Sequence, residues 1–133
     1  MSSKKELMDN SVQLKANVNN LMVLCFGLAY EAGWHTDIKT GEYIKHDPGN
    51  RMMLINSEIT EAFEGFRKDI NDDHLTHRKM AEVELADAMI RILDTAGYYG
   101  FDLGGALVEK LIYNTERKDH KKEARLAVGG KQF

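Results

Sequence analysis

SEITEAFEGFRK, residues 57–68, and EVELADAMIRILD, residues 82–94, carry the same device twice: Glu58 with Glu61, then Glu84 with Asp87. Positions three apart share one face of a helix, so each pair aims two hard oxygen donors in one direction. With 22 residues between Glu61 and Glu84, the chain has room to end one helix, turn, and bring a second back beside it. Four carboxylates meeting between packed helices repel one another unless a cation neutralises them, and Mg2+ is the cation such oxygen donors suit. The second pair has the more telling setting. Asp87 lies inside the apolar run VELADAMIRIL, where aspartate is a poor helix former and few faces remain for solvent.

Working outward from these pairs, the apolar residues recur at helical rather than alternating spacing, which predicts an all-α fold. The pattern predicts a first helix over 11–32, with Val12, Leu14, Val18, Leu21, Met22 and the run from Leu24 to Leu28 on its broad apolar face, ended by Gly33. Residues 34–50 hold the only proline and several turn formers, and read as a loop long enough to suggest function. A second helix is expected over 51–68, with Met53, Leu54, Ile55, Ile59, Ala62, Phe63 and Phe66 as its apolar positions. The polar run DINDDHL breaks it, and a third follows over 76–98, its end bracketed by Gly97 and Gly100. Asp102 reads as the N-cap of a fourth helix through Glu116, after which a basic, partly ordered tail covers about 118–133.

The 133 residues suffice for one domain with its own core, and no second domain is demanded. A formal charge of −3 argues against nucleic-acid binding through a general positive field. No stretch reaches the roughly 20 apolar residues that span a bilayer, and the charged start MSSKKELMDN lacks the apolar core of a signal peptide. The single cysteine, Cys25, sits in an apolar run as core filler. Together these features lead us to expect a cytoplasmic protein without a membrane partner.

The order ExxE, spacer, ExxD in a helical chain resembles the MazG-like nucleoside triphosphate pyrophosphohydrolases, the all-α NTP pyrophosphatase superfamily. KLIYNTER adds Lys110, Asn114 and Arg117 in a KxxxNxxR arrangement similar to that family's segment after ExxD, so the likeness covers about residues 50–120. The ending DHKKEAR…GGKQF is similar to the tail of small phage and bacterial members. The resemblance implies a four-helix bundle, nucleoside triphosphate substrates with dNTPs foremost, and cleavage between the α and β phosphates to a monophosphate and pyrophosphate. It implies that Glu58, Glu61, Glu84 and Asp87 hold Mg2+, with Mn2+ as a substitute. Glu61 would orient and deprotonate the attacking water, while Lys110, Asn114 and Arg117 clamp phosphate oxygens. Ser57 departs from the pattern, standing where the family carries the first acid of EExxE. Relatives form dimers or tetramers, and the crowded apolar stretch from Leu21 to Leu28 fits a homodimer or homotetramer.

Other residues offer weaker readings. Trp34 is a candidate for stacking on a nucleobase, the alternative being a packing anchor, and His35 stands beside it. His74 and His77 have HxxH spacing suggestive of zinc, but beside Asp72 and Asp73 they read as polar loop. His46-Asp47 lacks the histidines of an HD-type phosphohydrolase, and GGK at 129–131 lacks the rest of a phosphate-binding loop. Two other classes compete with the pyrophosphohydrolase. A di-metal carboxylate bundle needs Glu-x-x-His pairs, which the helices lack, whereas a non-catalytic interaction module would carry the same acids as surface charge.

Overall fold

The computed structural model describes residues 2–133, and among them the fold is all-helical. In chain order the elements are α1 (Ser3–Asp9), α2 (Ser11–Glu31), α3 (Pro48–Lys68), α4 (Met80–Tyr98), α5 (Leu103–Glu116), a 3-10 turn (Lys118–His120) and α6 (Lys122–Leu126). Extended pairing among the described residues is confined to the isolated bridges Thr36–Tyr43 and Asn71–Lys79. Among the described residues no helix is long and apolar enough to cross a membrane.

The chain divides into two compact units, Leu21–Phe101 and the combination of Met1–Asn20 with Asp102–Phe133. In the terminal unit, Asp102 caps α5 by accepting from the Gly105 amide at 2.9 Å. The same carboxylate accepts from Asn19 Nδ2 at 2.8 Å and pairs with Lys15 Nζ at 3.1 Å. These donors, Asn19 and the Gly105 amide first, hold the Asp102 carboxyl down to about 2. Gly104 is buried here because a Cβ would lie 2.3 Å from the Lys15 carbonyl oxygen, so only glycine lets α5 approach α2 this closely. The expectation of a capped fourth helix through Glu116 agrees with the structure.

In the central unit, α2 ends in a Schellman motif. Gly33 takes a left-handed φ of 84°, and the Trp34 and Gly33 amides donate to the Ala29 and Tyr30 carbonyls. The seam between α3 and α4 is lined by small residues: Ala62 and Gly65 are buried on α3, Ala81 and Ala88 on α4. A Cβ on Gly65 would stand 2.6 Å from the Ala81 backbone nitrogen, so this glycine sets how closely the two helices approach. The large apolar residues read from sequence as the helix faces are largely exposed instead, Met53, Phe63 and Phe66 among them.

Three boundaries differ from expectation. α3 begins at Pro48 rather than residue 51, because Asp47 accepts from the Asn50 amide as N-cap and proline at the first position has its φ already set for a helix. α4 begins at Met80 rather than residue 76. The segment before it closes as a turn, with Asp72 accepting from the His74 and Leu75 amides and Asp69 in a left-handed conformation at φ 49°. α1, which the sequence reading left unassigned, is capped by Ser2, whose hydroxyl accepts from the Lys5 amide.

Candidate metal centre

The two acid pairs come from α3 and α4, and the seam of small residues brings them together. One carboxylate oxygen each from Glu58, Glu84 and Asp87 lies within 4.8 Å of the other two. Glu61, one turn along α3 from Glu58, is exposed, and its charge acts on Glu84. Glu58 is the most deeply placed of the four, with 8% of its surface exposed.

The electrostatics record the crowding. Desolvation, then the Glu61 charge and hydrogen bonds to Glu61 and Glu58, push the Glu84 carboxyl up to about 7. Desolvation and the Glu58 charge raise Asp87, against the opposing pull of Arg91. A carboxyl raised first by burial and then by neighbouring carboxylates is one that a bound cation would favour in its ionised form. Three hard oxygen donors from Glu58, Glu84 and Asp87, with Glu61 nearby, are of the kind that suits Mg2+ or Mn2+. Ser57 adds nothing to this set, because its exposed hydroxyl turns back to donate to the Leu54 carbonyl at 2.7 Å.

Of the residues read as phosphate ligands, Lys110 and Arg117 both lie over the ring of Tyr113, at 4.7 Å and 5.9 Å from its centroid. Arg117 also donates to both oxygens of Asp119. The Asn114 Oδ1 is buried without a hydrogen-bond partner among the described residues. These three belong to the terminal unit, and the acids to the central one. Trp34 is 71% exposed and so does not serve as a core anchor.

Two constellations escaped the sequence reading. The first is a polar network at the foot of the 34–47 segment. His35 is fully buried, its Nε2 2.7 Å from Asp94 Oδ1 and its Nδ1 3.0 Å from His46 Nε2. Arg51 Nη2 donates to Asp94 Oδ2 at 2.6 Å, and its Nε donates to Thr95 Oγ1. Tyr98 completes the network by donating to the Ile44 carbonyl and accepting from the His46 amide, with its ring stacked on His35. Burial, helped by the Arg51 charge, lowers His46 below its usual range. This network fastens the segment that carries Trp34 to α3 and α4. Burial and the Asp94 charge also raise the half-buried Cys25 thiol, which keeps it protonated.

The second is Arg91, whose Nε donates to Glu58 Oε1. Its position one turn after Asp87 was a usable signal, since i,i+4 spacing puts it on the face of the acids. His74 and His77 are exposed in the turn before α4, so their HxxH spacing does not place them on one helical face. His46 and Asp47 are engaged separately, in the histidine network and as the α3 cap. Comparison of the chain with family models, with curated proteins and with solved structures finds no match.

Proposed function

We propose that this chain is a metal-dependent nucleoside triphosphate pyrophosphohydrolase, built as a four-helix bundle of the all-α NTP pyrophosphatase type and acting in the cytoplasm as a homo-oligomer. The observation that carries the reading is the convergence of Glu58, Glu84 and Asp87 across the α3–α4 seam, with Glu61 one turn along from Glu58 and the Glu84 carboxyl pushed up to about 7.

On this reading Glu58, Glu84 and Asp87 hold Mg2+ or Mn2+, and bound metal supplies electrostatic stabilisation of the charge that develops on the phosphate oxygens. Glu61 is exposed beside Glu84, where it can accept a proton from a water and orient it for attack on the α-phosphorus. The proton passes to Glu61 as the water oxygen bonds to phosphorus, and pyrophosphate leaves with the electron pair of the broken bridge. The exposed face of Trp34 receives the base of a nucleotide, a dNTP by preference.

The test is product analysis over a panel of NTPs and dNTPs with Mg2+, with Mn2+, and with chelator. Monophosphate and pyrophosphate in equal amounts, dependent on metal, are the expected products. The absence of turnover across the panel at high enzyme concentration overturns the reading and favours an interaction module.

A further inference from the structure

The sequence reading omitted Arg91, yet this residue makes the only side-chain ion pair to the acid cluster among the described residues. Its Nε donates to Glu58 Oε1, and the Arg91 charge also acts on Asp87, one turn earlier on α4. Its side chain is 43% exposed, and among the described residues neither Nη atom finds an acceptor.

The mode of contact is informative. A guanidinium that merely neutralises carboxylates normally engages them through its fork of parallel N–H donors, the stronger bidentate arrangement. Arg91 instead meets Glu58 through its Nε edge, although Asp87 is close by. The rigid, planar group is thereby fastened beside the candidate cation site with its Nη donors still free, in partial contact with solvent. A site for a polyphosphate needs such donors next to its cation, because the phosphate oxygens carry more charge than one divalent ion offsets.

We propose that Arg91 is a substrate-binding residue: its Nε remains on Glu58 while the Nη pair takes a non-bridging oxygen of the polyphosphate. The inference rests on the function proposed above and adds to it a phosphate ligand from α4, on the same face as the acids. It makes Glu58 a shared carboxylate, one oxygen fastening Arg91 and the other left for the cation. Because Arg91 is itself cationic, it works against the metal alone and in favour of the metal with its anionic substrate.

The experiment compares wild-type, R91Q and R91K proteins by titration calorimetry, first with Mn2+ alone and then with inorganic triphosphate at saturating Mn2+. R91Q is expected to bind Mn2+ at least as tightly as wild type and to bind triphosphate roughly 10- to 100-fold more weakly, the loss of a hydrogen bond to a charged group. R91K falls between them, since lysine keeps the charge and loses the fork. Should R91Q lose its helical circular dichroism, R91K carries the same comparison. Equal triphosphate affinity in all three proteins overturns the proposal. So does a parallel loss of Mn2+ affinity in R91Q, which would make Arg91 only a support for Glu58. Failure of the wild type to bind Mn2+ at all overturns the proposed function itself, and this inference with it.

Discussion

Glu84 shows how one residue's chemistry is set by its neighbours. Its carboxyl is raised from an ordinary value of 4.5 to about 7, chiefly by desolvation and by Glu61. Between those values the folded protein binds more protons at this group than the unfolded chain does, so stability falls as pH rises through the window. Its contribution is most favourable below the unfolded value and is fully lost above about 7. Cation binding runs the opposite way, because a metal needs the ionised carboxylate. Mn2+ affinity is therefore expected to rise from about pH 5 to about pH 8 and to release protons near pH 6, measurable by calorimetry in buffers of different ionisation enthalpy. In an E84Q variant this proton release is reduced, Asp87 remaining as a raised carboxyl at the same site. For the chemistry itself, replacing Glu61 or Asp87 with Ala should lower turnover by at least about 100-fold while leaving the helical circular dichroism unchanged. Normal turnover in both variants rules out the proposed site.

Helices α3 and α4 depend on a contact that hydrophobic pattern does not advertise. Periodicity marks Ala62, Phe63 and Phe66 alike as apolar positions of α3, yet the two phenylalanines are exposed, while Ala62 and Gly65 are buried at the seam. Apolar spacing marks a stripe, and several registers of two striped helices bury comparable area; steric fit of small residues selects one of them. Gly65→Ala tests this directly. Its Cβ would sit 2.6 Å from a backbone atom that no side-chain rotation can move, so about 1–3 kcal/mol of destabilisation in chemical denaturation is expected. The same variant should bind Mn2+ more weakly, because wider helix spacing separates Glu58 from Glu84 and Asp87. The helix ends were readable wherever the signal was local: Gly33 and Asp102 act as the sequence indicates. The start of α3 was misplaced by reading Pro48 as a loop former, although aspartate followed by proline is also a helix-start signal.

At the scale of the whole molecule, exposed apolar surface is the feature that calls for a partner. Leu24 and Leu28 on α2 are 55% and 58% exposed, and Phe63 and Phe66 on α3 are 62% and 69% exposed. Exposed apolar side chains on this scale cost free energy in water, and self-association is the simplest way to cover them. Light scattering is expected to return a mass of two or four times 15.1 kDa. Charged replacements at Leu24 and Leu28 should lower that mass, whereas a monomer at the concentrations used for turnover would leave these faces unexplained.

The amino-acid sequence by itself determined the helical class, most helix ends and the two faces that carry acids, because each follows from contacts within about four residues along the chain. It did not determine that Glu58, Glu84 and Asp87 meet, that Arg91 fastens on Glu58, or that buried His35 joins Asp94 to His46. Those are pairings between distant segments, and they depend on the register in which α3 and α4 pack. That register is settled by close approach at Gly65 and Ala81, a steric condition that spacing along one chain does not express.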